Sequence, residues 1–242
     1  GKRVIILDAD FGLANIEIMF GAVPKHNLCD LIYQGKSITE IITWGPMEVG
    51  FISGGSGIAG MSNLSRDYLS YIIQNLSQLD AIADIIIVDT GAGISDAVLE
   101  FLVASGEILL VTTPEPTSIT DSYSLLKALY RHPRFDENTT KVKMVANRVA
   151  KESEGEILFN KLNAVVARYL KIPMTYLGSV PEDVQLARAV MQQMPVSIQN
   201  PGAKSTAAYE KIVQKLMGKE EEERQPRRGM AAFFSHILER RN

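Results

Sequence analysis

Short apolar runs and longer amphipathic stretches alternate along most of this chain. The runs Arg3–Asp8 (RVIILD), Ile85–Asp89 (IIIVD), Glu107–Thr112 (EILLVT), Lys141–Asn147 (KVKMVAN) and Met174–Ser179 (MTYLGS) predict strands. Val49–Ser53 (VGFIS) predicts one more, at a sheet edge. Between them, apolar positions recur with helical spacing over 67–79, 117–131, 154–170, 183–193 and 203–217. Strands that are apolar on both faces, alternating with amphipathic helices, require a parallel sheet covered on both sides. The expectation is therefore an α/β fold of three layers, a mostly parallel sheet with helices on both faces. In such sheets ligands bind beyond the carboxyl ends of the strands. No internal repeat is present.

Composition adds boundaries. At 242 residues the chain can bury a sizeable core, and a net charge of −3 gives no reason to expect a nucleic-acid partner. A lone cysteine, Cys29, excludes a disulfide framework and fits a reducing compartment. No leader pattern opens the sequence and no apolar run reaches about 18 residues, so the expectation is a soluble, cytosolic chain.

The strand ends carry the candidate chemistry. Asp8 closes the first run and Asp89 closes IIIVD, so both carboxylates belong on one rim of the sheet. Alternation along extended backbone puts Asp10 on the same side as Asp8. Gly91 and Gly93 follow Asp89 and leave backbone N–H groups open to close approach. Acids that hold a hydrated metal, beside amides that meet phosphate oxygens, are what a magnesium–triphosphate site needs. The plain alternative is that each aspartate begins a loop and caps a helix. Two apolar strands that both end in Asp, each followed by Gly, favour the nucleotide site.

An ordered set of segments carries a resemblance. LDADFGLANIEIMFG (7–21) and VDTGAGIS (88–95) resemble the first switch and the Walker B–second switch segments of the deviant-Walker ATPases typified by MinD and ParA. TTPEPTSITDSYSLLKAL, MVANRV, and YLGSVPEDVQLARAV with NPGAKSTAAYEKIV extend the likeness over nearly the whole chain, within the FlhG (YlxH/FleN) branch. The resemblance implies ATP and Mg2+ as cofactors. It makes Asp10 the acid that orients the attacking water, with Asp8 behind it near the metal and phosphates. Asp89 holds magnesium through water, and Gly91 faces the γ-phosphate. Asn147 reads adenine, with Arg148 beside it, and Val180, Pro181 and Glu182 close the other side of the base through backbone contacts. Without the resemblance, Asn147 reads as a turn or helix cap.

One departure limits this. The resemblance places a glycine-rich loop with two lysines ahead of the strand at Arg3, and no G-x-x-x-x-G-K-[ST] occurs in the chain. SGGSGIAG at 53–60 has the glycines without the lysine, after the wrong strand, and reads as a turn. The expectation is half of a nucleotide site, on a P-loop NTPase-like fold without its first strand and phosphate loop. Such a chain is inactive alone, whereas its parent hydrolyses ATP. The missing strand would lie between Ile85–Asp89 and Glu107–Thr112, leaving there an open slot or a direct pairing of the two.

The C-terminus reads differently. Residues 1–217 form the nucleotide-binding domain, 218–229 a linker too charged to pack, and 230–242 an amphipathic helix. In that helix Met230, Phe233, Phe234, Ile237 and Leu238 fall on one stripe, flanked by Arg224, Arg227, Arg228, Arg240 and Arg241. The pattern suits an anionic membrane surface, with packing on a partner as the alternative. Glu220–Glu223 oppose adsorption, so two helices per dimer would help.

His26, His132 and His236 are too scattered to hold a metal, Trp44 reads as a loop anchor, and Cys29 as a buried residue. The leading functional reading is a MinD-like ATPase that sets flagellar number and placement. It would form an ATP-dependent homodimer, peripheral on the inner face of the cell membrane. Its implied partners are flagellar assembly proteins, an FlhF-like GTPase and C-ring components. The alternatives are a non-catalytic scaffold for those partners and a ParA-like DNA-partitioning factor; the terminal helix counts against the second, and no nucleic acid is expected.

Overall fold

The computed structural model describes residues 1–10, 15–55, 75 and 78–218. These form two compact units that divide between Ala104 and Ser105.

In the first unit β1 (Val4–Ala9) is followed by the single-turn helix α1 (Ile16–Met19) and by α2 (Leu28–Gln34). Then come β2 (Thr43–Trp44), a tight turn over Pro46–Glu48, β3 (Gly50–Ile52), α3 (Leu79–Ile82), β4 (Ile85–Thr90) and α4 (Asp96–Ala104). The sheet order is β2-β3-β1-β4, with β1 parallel to both neighbours and β2 antiparallel to β3. The strand expected at the sheet edge, β3, is thus internal, and its three residues are buried. The edge is β2, two residues long, and it contains Trp44, which is an exposed strand residue rather than a loop anchor. Ile5, Leu7, Leu28, Leu31, Ile38, Ile52, Leu79 and Phe101 form the core. Cys29 stands half-buried at its margin, where burial, then the charge of Asp30, raises the thiol pKa.

In the second unit β5 (Glu107–Thr112), β6 (Lys141–Val149) and β7 (Met174–Pro181) form a wholly parallel sheet in that order. Its helices are α5 (Pro116–Tyr130), α6 (Glu152–Tyr169), α7 (Val184–Met191), α8 (Val196–Gln199) and α9 (Lys204–Met217). Val145 packs with Leu177, Val180, Ala208 and Ile212, which seats α9 on that face. Ala146 points the opposite way, against Gly155 of α6, where a side chain would collide with the Tyr176 hydroxyl. Helices therefore cover both faces of this sheet, as the apolar strands require.

Among the described residues β4 pairs with β1 in the sheet of the first unit, and β5 pairs with β6 in the sheet of the second. Both are edge strands with exposed apolar residues, Ile87 on β4 and Leu109 and Val111 on β5. No described helix is long and apolar enough to cross a membrane. Residues 219–242 and most of 67–79 lie outside the described residues.

Candidate functional site: a rim of carboxylates and an asparagine bulge

The first unit gathers three acids at the carboxyl ends of adjacent parallel strands. Asp8 and Asp89 are register partners across β1 and β4, so the paired strand ends place their acids side by side. Asp8 is buried, and its carboxylate is held entirely by main-chain donors. Oδ1 accepts the N–H of Asp10 at 3.2 Å, and Oδ2 accepts those of Asn15 at 2.9 Å and Ile16 at 3.3 Å. Asp8 therefore caps α1, the arrangement given above as the plain alternative, and it also holds the Asp10 N–H. Charge-assisted bonds of this kind stabilise by roughly 1.5–3 kcal/mol each.

Asp10 takes the more open position, with its carboxylate against Gly91. A side chain on Gly91 would put its Cβ 3.0 Å from Asp10 Oδ1 and 3.1 Å from Cγ, a contact tight enough that the carboxylate would have to give way by a few tenths of an ångström. Glycine lets the two strand-end turns meet at this distance with the Asp10 carboxylate undisplaced. Asp89 is pushed above the ordinary carboxylate range, first by burial, then by the charges of Asp8 and Asp10. A cation would relieve that strain, and hard oxygen donors beside open glycine amides suit magnesium with part of its water shell. The residues present thus fit the metal. Among the described residues no group of three or more His, Cys, Asp or Glu could by itself hold a metal ion.

The second unit builds its cluster at the ends of β6 and β7. Asn147 pairs in register with Val180, and a bulge then lets Val149 pair with Pro181. The bulge places Arg148 at φ 55°, left-handed backbone that a non-glycine residue seldom adopts. Asn147 Oδ1 accepts the Arg148 N–H at 3.0 Å, which leaves the side-chain NH2 to donate. Arg148 Nη2 stands 3.5 Å from Glu182 Oε1, with both side chains largely exposed. The Glu182 N–H donates to the Val149 carbonyl at 3.0 Å, so this amide is already engaged.

Sequence reasoning passed over three residues here. Glu115 at the start of α5 is held below the usual carboxylate range mainly by the Thr113 hydroxyl, with Arg148 adding a little. Ser53 and Glu17 bond to each other beside the acidic rim. Their signal in the sequence is position alone: Ser53 stands one residue past a strand end and Glu17 lies within the segment 7–21. Met230, Phe233, Phe234, Ile237 and Leu238 lie outside the described residues.

No family model matches the chain. It is 38% identical over 216 residues to the antiactivator FleN of Pseudomonas aeruginosa, covering 89% of this chain and 76% of that protein. It is 29% identical over 242 residues to the flagellum site-determining protein YlxH of Helicobacter pylori, covering 98% of this chain and 80% of that one. Among solved structures, the septum site-determining protein MinD of Pyrococcus horikoshii complexed with Mg-ADP matches with a TM-score of 0.67 and 18% identity. That match covers 90% of this chain and 84% of the MinD chain, and it shows the shared fold.

Proposed function

Because the chain belongs to the FleN/YlxH family of flagellar regulators and has the MinD-type fold, we propose that its two clusters serve ATP, the acidic rim at the phosphate end and the asparagine bulge at the base. The protein is a MinD-like ATPase that regulates flagellar number. The observation that carries the site is the register pairing of Asp8 with Asp89, with Asp10 set against Gly91.

The roles divide by environment. Asp89 would hold magnesium through a water, and the ion would supply positive charge that offsets the phosphates. Asp10, whose carboxylate is not committed to a capping role, orients the attacking water. Asp8, expected to stand near metal and phosphate, has both oxygens engaged by N–H groups, so its part is to position Asp10. Gly91 approaches the γ-phosphate by its backbone. Asn147 donates to adenine from its NH2, Arg148 borders the base, and Val180–Pro181 close it. Glu182 cannot contribute its N–H, which Val149 holds.

We further read residues 230–242 as a helix that lies on the inner face of the cell membrane, joined by the linker 218–229, and the working form as an ATP-dependent homodimer. An FlhF-like GTPase and C-ring proteins are the proposed flagellar partners.

The test is turnover by the gene's complete product. Asp10→Ala should abolish magnesium-dependent hydrolysis and leave ATP binding intact; hydrolysis at the unsubstituted rate overturns the reading. The scaffold reading draws on the absence of any G-x-x-x-x-G-K-[ST] from residues 1–242. A cradle of that kind supplies contacts of roughly 1.5–3 kcal/mol each, so a polypeptide of these residues alone should not turn over ATP.

A further inference from the structure

α1 is one turn long, and an isolated turn fixes several residues for a single hydrogen bond, so its place is set by what ties it down. Two strand ends do so. From β1, Asp8 caps the turn through the N–H groups of Asn15 and Ile16. From β3, the Ser53 hydroxyl donates to Glu17 Oε2 at 2.7 Å. Ser53 follows the Leu7–Ile52 register pair by one residue and is 3% exposed. Its Oγ also accepts the Gly55 N–H at 3.3 Å, and its carbonyl accepts the N–H of Leu28, the first residue of α2, at 3.0 Å. One buried serine therefore anchors both helices that follow Asp10 in the chain.

We infer that Ser53 and Glu17 are positioning residues for hydrolysis. Asp8 links Asp10 to α1, its Oδ1 accepting the Asp10 N–H and its Oδ2 those of Asn15 and Ile16 at the start of the helix. The serine–glutamate bond stops α1 from turning or sliding on the rim, and so sets the aim of the Asp10 carboxylate. Glu17 is half-exposed, and only Ile16 of α1 enters the core, so loss of the bond displaces the turn without emptying the interior. This inference rests on the reading of Asp10 as the acid that orients water.

The experiment compares kcat and KM for ATP, with magnesium, in the complete gene product and its variants S53A, E17A, S53A/E17A, S53T and E17Q. A displacement of a fraction of an ångström should lower kcat about tenfold in S53A and in E17A, with KM changed less than about twofold. The double variant should be no worse than either single, because all three lose the same bond. S53T keeps the hydroxyl and E17Q keeps the acceptor, so both should retain most of the turnover, which a merely packed position would not discriminate. Unchanged kcat in the alanine variants, or losses that multiply in the double, would overturn the inference. Should S53A fail to fold, the E17A–E17Q comparison at the half-exposed position decides alone. Turnover that survives Asp10→Ala would sink the nucleotide reading itself. Loss in Asp10→Ala with S53A and E17A unaffected would sink only this inference.

Discussion

The carboxylate of Asp10 lies against Gly91, so close that a Cβ on the glycine would stand 3.0 Å from Oδ1. The contact joins the turn after β1 to the turn after β4, two segments 81 residues apart in the chain. Gly91→Ala should push the acid aside by a few tenths of an ångström without straining the fold. We expect kcat for ATP hydrolysis to fall about tenfold while unfolding free energy changes by less than about 1 kcal/mol. Kinetics and denaturant melts on the same preparation check both. A large stability loss would mean that the contact belongs to the fold instead.

The bulge at Asn147 separates two properties of one amide. Its oxygen accepts the Arg148 N–H, and its nitrogen is left to donate. Asn147→Asp keeps the acceptor and removes the donor, so the bulge should survive while ATP affinity falls about tenfold, the worth of one hydrogen bond. Titration with ATP and GTP should show the preference for ATP narrowing. Equal affinities before and after would remove Asn147 from the base site.

How much of this was legible follows from length and periodicity. Glu107–Thr112 was bounded correctly because six residues with buried alternate positions leave a clear pattern. β6 ran two residues past Asn147 because a bulge at left-handed Arg148 lets pairing continue, and no hydrophobic period encodes that. β2 and α1 span two and four residues, too short for any period, and with β2 unseen β3 was taken for an edge. α2 did carry a signal, Asn27 followed three residues later by Asp30, and the two do form a capping box. At the site, the sequence placed Asp8 and Asp89 on one rim. It could not tell that Asp8 is spent on N–H groups seven and eight residues onward, because capping over that distance depends on the path of the loop.

Glu40 makes acid stability testable away from the site. Bonds from the Ser37 backbone N–H and hydroxyl, then from Lys36, hold its carboxyl at about 2, far below its ordinary value. A depressed carboxylate contributes stability that is present above the unfolded-state pKa and is lost as pH falls through the folded value. Glu40→Gln should therefore lower the melting temperature at pH 7, and the gap to the unsubstituted chain should close between about pH 4.5 and 2. A gap that is constant over that range would assign the effect to shape rather than charge.

The turn joining β2 to β3 uses unusual residues. Met47 (φ 56°) and Glu48 (φ 58°) both stand in the left-handed region, and the Val49 N–H closes the turn on the Pro46 carbonyl at 3.3 Å. That geometry normally selects Asn-Gly. The double substitution Met47→Asn, Glu48→Gly should raise stability by about 1 kcal/mol, since each left-handed side chain costs roughly 1–2 kcal/mol and glycine returns part of the gain as unfolded-state entropy. Urea unfolding of the pair measures it, and a loss would show that the Met47 side chain stabilises the fold by a contact of its own.

The tail prediction comes from sequence pattern alone. Met230, Phe233, Phe234, Ile237 and Leu238 share one helical stripe, and Arg240 and Arg241 end it beside the basic residues of the linker. Each arginine near an anionic surface contributes about 1 kcal/mol, and the aromatic side chains add burial at the acyl boundary. Glu220–Glu223 offset part of the charge term, so binding should be modest and should weaken with salt. Phe233→Glu removes the burial and adds repulsion, and deletion of 230–242 removes the helix. Either change should abolish co-sedimentation with vesicles rich in anionic lipid while ATP binding stays as before. If both variants sediment like the unsubstituted protein, the stripe faces another protein, and the membrane must be reached by a different part of the chain.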